Sequence, residues 1–160
     1  MKMADACVRI EAIAKAHDPA FDVIWIDHLA NTLTIYRADP VPDRRAALYA
    51  PVIPKGVTVR YARSMLNLTQ VNDLANLVSS QIGTLAKHGV LVTMYGDGSG
   101  EPFMIGYDPT CQKPGDALLK PFEKYGHGTA AFVPRAGVIL TVMRNPSPSP
   151  TPSCPAVSAG

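Results

Sequence analysis

The sequence predicts an α+β fold of two hairpin-helix-strand (ββαβ) units with antiparallel sheet, linked by one long helix. Three observations carry that reading. Two stretches alternate apolar and polar residues and break at turn signals, Val23 to Arg37 at Ala30-Asn31 and Val90 to Tyr107 at Asp97-Gly98-Ser99-Gly100. Each runs through an Asp-Pro step, Asp39-Pro40 or Asp108-Pro109, and a short helical segment into a further strand, Val57 to Tyr61 or Thr129 to Val133. Between the units Val71, Leu74, Val78, Ile82 and Leu85 recur at spacings of three and four, the buried stripe of a helix over about Leu68 to His88.

The individual elements follow from local chemistry. Val23 to Asp27 begins apolar on both faces, as a central strand does. Leu29 to Thr32 turns the chain, with Asn31 suited to the left-handed conformation, and Leu33 to Arg37 returns. Pro40 and Pro42 end that strand, Asp43 is placed to cap a helix over Arg44 to Tyr49, and Pro51 and Pro54 stop it. Asn67 and Gln70 have the spacing of a reciprocal cap on the long helix, and Gly89 suits its C-terminal left-handed position. Asn67-Leu68-Thr69 also matches a glycosylation acceptor, but capping is the preferred role. Gly83 costs about 1 kcal/mol in a helix interior, which suggests that another backbone approaches there.

Composition bounds the function. A chain of 160 residues, 47% hydrophobic, can bury a substantial core as one compact domain or two packed halves. A net charge of +2, with the basic residues scattered, argues against nucleic acid as a partner, and Arg37, Arg60 and Arg63 read as a solvated face at strand ends. Charge or Pro interrupts every hydrophobic run short of a membrane span. The first residues lack the uninterrupted apolar core of a secretion signal, so a cytoplasmic location is the expectation for the chain as written. Residues 1–20 are expected to form an N-terminal helical arm, 21–144 the α+β module, and 145–160, rich in Pro and Ser, a disordered tail. Cys7, Cys111 and Cys154 imply no disulfide framework; a Cys7 to Cys111 bridge is left open. The dispersed histidines and cysteines give no metal-ligand spacing, and no metal or cofactor is expected.

Groups of residues that suggest chemistry have plainer readings beside them. Tyr95 to Pro102 has some residue types of a trypsin-like nucleophile loop, but the order differs and the chain is too short for that enzyme, so Asp97-Gly98 reads as a tight turn with Gly100 at a bulge. Asp27, His28 and Ser99 supply the types of a hydrolase triad, yet neighbouring strand residues point to opposite faces and Asp27 cannot easily orient His28. Asp97, Glu101 and Asp108 lack the spacing of a calcium loop, and Gly96, Gly98 and Gly100 lead into a strand without the Lys-Ser or Lys-Thr pair of a phosphate loop. No catalytic residue is assigned.

The run Val23-Ile24-Trp25-Ile26-Asp27, then Asn31 to Arg37, Gly56-Val57-Thr58-Val59-Arg60, the long helix and Asp97-Gly98-Ser99-Gly100 resembles the actinobacterial pro-regions of alpha-lytic-type serine proteases and the stand-alone secreted proteins built from that module. The resemblance covers about Phe21 to Pro134. It implies an α+β pro-domain that packs its sheet against a protease, assists its folding and inhibits it until removed, and it implies secretion if the N-terminus is incomplete. The chain departs from that plan in having no visible signal and no protease domain after Arg135.

The expectation is therefore a non-catalytic protein-binding module whose partner is a serine protease or another secreted protein. Its contact surface is expected to use Tyr36, Tyr61, Asp97, Ser99 and Glu101, on a sheet face and the adjoining loop. For the rings of Trp25, Tyr36, Tyr61 and Tyr95, packing in the core against the long helix is weighed beside that surface and is the preferred reading, and His127-Gly128-Thr129 opens a candidate edge strand. The rival classes are a small hydrolase using His28 and Ser99 and a fragmentary reading frame without a dedicated function.

Overall fold

A computed structural model of the chain describes residues 3–97, 100–136 and 153–158. It falls into two compact units, Met1–Asp73 with Asp97–Pro102, and Leu74–Gly96 with Phe103–Gly160. The element order states one plan twice. The helix α1 (Met3–His17) leads into β1 (Phe21–Asp27), β2 (Thr32–Arg37), α2 (Ala46–Tyr49) with a tighter helical turn at Ala50–Val52, and β3 (Thr58–Arg63). The helix α3 (Leu68–Lys87) leads into β4 (Val92–Gly96), β5 (Phe103–Tyr107), α4 (Asp116–Leu119) with a tighter turn at Lys120–Glu123, and β6 (Ala130–Pro134). Both tight turns carry a proline in their first positions, Pro51 and Pro121, where the missing N–H is not needed.

Each unit holds a three-stranded sheet in sequence order. The hairpins are antiparallel, Trp25 facing Thr34 and Tyr95 facing Ile105. The third strand of each lies parallel to the second, Ile35 beside Tyr61 and Ile105 beside Phe132, because the intervening helical segment carries the chain back to the start of the sheet. The sheets are thus mixed. Asn31 turns the first hairpin with φ +49° and donates through its side chain to the Gly56 carbonyl at 2.6 Å.

In the first unit α1 is packed against the sheet, with Ala6, Ile10 and Ala14 buried at helical spacing against Phe21, Leu33, Ile35 and Tyr49. The charge reading of Arg37 is corrected: it is 1% exposed, at the end of the inner face of β2. Its guanidinium donates from Nε and one Nη to the two oxygens of Asp18 at 2.6 and 2.8 Å, and from the other Nη to the Pro42 carbonyl at 3.0 Å. The Tyr49 hydroxyl donates to the same carboxylate at 2.5 Å. Burial alone would raise the Asp18 carboxyl, but the hydrogen bonds from Arg37 and Tyr49 and the Arg37 charge outweigh it and hold the group below its ordinary value. The short helix α2 starts later than expected and no side chain caps it; Asp43 accepts through its backbone carbonyl from Ala46 N–H at 2.9 Å.

The long helix has the reciprocal cap its sequence calls for: Asn67 N–H donates to the Gln70 side chain at 3.0 Å, and Gln70 N–H to the Asn67 side chain at 2.9 Å. Leu74, Val78 and Leu85 are buried, whereas Ile82 is exposed. Among the described residues no atom beyond the helix's own backbone lies within 4 Å of where a Gly83 Cβ would stand, so none of them supplies the expected close backbone. In the second unit Phe132 packs edge-on against both Tyr107 and Phe122. Cys111 is bonded to Cys154, and Cys7 is a free, half-buried thiol, which replaces the Cys7 to Cys111 alternative. Spacing could not reveal a bridge across 43 residues. Most of the Pro- and Ser-rich tail lies outside the described residues; Ser153–Ser158, which is described, is fastened by that bond and by Ser158 N–H to the Lys87 carbonyl at 2.8 Å.

Candidate partner-binding surface

Alternation along the first sheet sends Leu33, Ile35 and Arg37 inward, and Thr34 and Tyr36 outward. Register then places Trp25, Thr34 and Arg60 in one row of the outer face and Tyr36 beside Ala62 in the next. Trp25 is 59% exposed, a large apolar ring left in solvent. Tyr61 faces the other way: it lies beside Ile35, packs against the core and stands 6.5 Å from the Tyr49 ring, with its hydroxyl raised by burial. Of the two readings weighed for Tyr61, its side chain takes the core one, because parallel pairing with β2 assigns the outward position to Ala62.

Asp97–Pro102 connects β4 to β5 yet belongs to the first unit. Gly100 has φ +93°, and a Cβ there would stand 3.1 Å from Tyr36 Cε1 and 3.3 Å from the Arg63 carbonyl. Gly is required both for the conformation and for the approach to the Tyr36 ring. Tyr36 and the connection thus meet, and Glu101 is exposed beside Gly100. Ser99 lies outside the described residues. A cavity of about 450 Å³, lined by Ala38, Arg63, Ser64, Met65 and Gly100, opens next to this contact, and Met65 is half exposed at its wall.

Behind the cavity wall is a polar arrangement with no counterpart in the sequence reading. Pairing of β1 with β2 shifts between Phe21 and Ile24, and this bulge turns the Asp22 side chain inward, where it is 2% exposed. Ser64 donates to the Asp22 carboxyl at 2.5 Å, and the Asp97 carboxyl is close enough to act on its ionisation. Burial pushes the Asp22 carboxyl up to about 7, the Ser64 hydroxyl opposes that, and the neighbouring Asp97 carboxyl adds to it. The only sequence signal was an acid beside Phe21 at the start of a strand; its partner is 42 residues away.

His28 is exposed on the β1–β2 turn, and Asp27 accepts from Ala30 N–H at 2.9 Å, which gives that carboxylate a turn-forming role. The described residues include no group of three or more His, Cys, Asp or Glu able to hold a metal, and no described helix is long and apolar enough to cross a membrane. Set against known proteins, the chain matches no family model and no curated sequence.

Proposed function

We propose that this chain is a non-catalytic protein-binding module of the serine protease pro-domain kind, which inhibits a protease or assists its folding by presenting the outer face of its first sheet. The observation that carries the reading is Trp25, 59% exposed on the same face as Thr34, Tyr36, Arg60 and Ala62. An exposed Trp with Tyr and Arg neighbours has the composition of an interface centre. Gly100 sets the Asp97–Pro102 connection against the Tyr36 ring, and Asp97 and Glu101 on that connection are taken as the extension of the surface. The Cys111–Cys154 bond supports a partner in an oxidising compartment, where such bonds persist.

The test is inhibition of a purified alpha-lytic-type serine protease by the purified chain. Saturable inhibition at one chain per protease is expected, and Trp25→Ala is expected to weaken it about 30-fold, as loss of a hot-spot aromatic does. Undiminished protease activity together with no complex on size exclusion rejects the reading.

A further inference from the structure

We propose that the Cys111–Cys154 bond is a redox latch of the second unit: a dithiol of the Cys-x-x-Cys kind that attacks Cys154 frees the segment Ser153–Ser158 from the end of α3. The inference concerns the chain alone and stands whether or not it binds a protease. Its geometry begins at the last turn of α3. There Gly89, at φ +77°, closes the helix as a Schellman turn, Val90 N–H donating to the Leu85 carbonyl at 3.1 Å and Gly89 N–H to the Ala86 carbonyl at 2.9 Å. The Lys87 carbonyl, one of those a helix cannot satisfy within itself, accepts from Ser158 N–H at 2.8 Å. A Cβ on Gly89 would stand 2.9 Å from Val157 Cγ2 and 3.0 Å from Gln112 Cβ, so the glycine also leaves the room in which the segment lies. The segment is thus part of the helix cap, and the disulfide is the covalent link that keeps it there.

The first unit closes the same place with side chains of its own. Both Asp-Pro steps form the same turn, Val41 N–H donating to the Asp39 side chain at 2.8 Å and Thr110 N–H to the Asp108 side chain at 2.9 Å, so Pro42 and Cys111 hold equivalent positions. Asp18 and Gly89 are equivalent too, each six residues before the paired position Ile24 or Tyr95. In the first unit Arg37 joins the two places, bonded to the Asp18 carboxylate at 2.6 and 2.8 Å and to the Pro42 carbonyl at 3.0 Å. In the second unit Tyr107 stands where Arg37 would and packs against Phe132. There the join is made by Gln112 N–H, donating to the Gly89 carbonyl at 3.1 Å, and by the bridged segment. An ion pair does not respond to a reductant, whereas a disulfide does.

Access decides the order of events. Cys154 is exposed with its segment, whereas Cys111 is half-buried on the turn where its N–H donates to the Asp108 carbonyl at 3.1 Å. A thiolate of the dithiol attacks Cys154 Sγ, the bond to Cys111 breaks, and its electron pair leaves on Cys111 Sγ, which takes a proton. The second sulfur of the dithiol, having lost its proton, attacks the first and displaces Cys154, which is protonated in turn. The dithiol gives up two electrons and two protons to become a disulfide, and Cys111 and Cys154 end as thiols. Cys7 does not replace the external dithiol: it is a single half-buried thiol of the first unit, and burial raises it, so its thiolate is scarce.

The experiment is amide nitrogen relaxation by NMR on the whole chain, oxidised and then reduced with dithiothreitol. The Val157 and Ser158 amides are expected to have order parameters of about 0.85 in the oxidised chain and below about 0.6 after reduction. The Gly89 and Gln112 amides should shift with them, while Ile35 in β2 keeps its order, and oxidised glutathione should restore the starting values. Cys154→Ser should show the reduced values with no reductant. Brief treatment with reduced glutathione, quenched by alkylation and mapped by mass, should place glutathione on Cys154 and the alkyl group on Cys111. Order at Ser158 that survives reduction, loss of order at Ile35 together with it, or glutathione on Cys111 would each overturn the latch. Should Cys154→Ser fail to fold, the reduced wild-type chain decides alone.

Discussion

The two units share an order of elements and a sheet topology but are furnished in opposite ways. On the inner face of the middle strand Leu33, Ile35 and Arg37 correspond to Phe103, Ile105 and Tyr107, all buried. The last position holds a charge bound to Asp18 and Tyr49 in one unit, and a ring against Phe132 in the other. On the outer face the positions of Trp25 and Tyr36 are occupied in the second sheet by Gly96 and Gly106. A Cβ on Gly106 would stand 2.6 Å from Met94 Cγ, so there the neighbouring side chain lies over the vacant place. The topology demands only that the inner face be filled; the outer face is free to diverge, and in the first unit it carries Trp25, which its own fold leaves in solvent.

The largest effect is expected where the units differ most. Asp18→Ala should cost about 3–5 kcal/mol in urea unfolding, because it strands the Arg37 charge and the Tyr49 hydroxyl in the core. The pair Asp18→Leu with Arg37→Leu should cost less than Asp18→Ala alone, since no charge is then left buried; equal or greater loss would mean that Arg37 is needed for packing, as Tyr107 is. Reduction of Cys111–Cys154 should cost about 4 kcal/mol from the loop of 43 residues it closes. Its mark should be loss of hydrogen-exchange protection in β5 before β2.

The next contrast is in pH dependence. Asp22, raised, stabilises the first unit in acid and loses that contribution as pH rises toward 7, about tenfold per pH unit. Asp18, lowered, contributes above its unfolded value of 3.8 and loses that contribution as pH falls. These two groups together favour the first unit most near pH 4. In the second unit Asp108 is held low by Thr110, and Glu123 by the Gly128 N–H and His127, so both act only toward acid. Exchange protection in β2 should therefore fall between pH 5 and 7.5 after correction for intrinsic exchange, with no parallel fall in β5. The smallest effect is in α3: Gly83→Ala should stabilise by about 1 kcal/mol, because the space around it is open and its backbone is helical.

What the sequence made legible was local. Hairpins, the capping pair Asn67 and Gln70, the left-handed Asn31 and Gly89, and the stripe of α3 are set by neighbours within a few residues. The Arg37–Asp18 pair joins residues 19 apart, and alternation alone placed a strand-end arginine in solvent. Asp22 depends on a bulge, which reverses the face of a side chain without leaving a composition signal. The choice between surface and core for Tyr61 stayed open for a related reason: its face depends on the register of a parallel strand that is fixed only after the crossover. Trp25 and Tyr36 were recognisable as strand aromatics, but which of the rings faced solvent required the pairing.

The central claim is that a protease covers the ring-bearing face of the first sheet. The chain has a single tryptophan, Trp25, so fluorotryptophan labelling gives one fluorine resonance from the outer face of the edge strand β1. Titration with an unlabelled alpha-lytic-type serine protease, blocked at its nucleophile, is predicted to convert the free signal into one shifted, solvent-shielded signal at one-to-one stoichiometry. A complex that forms while the resonance stays at its free position, or no complex at all, would contradict the account.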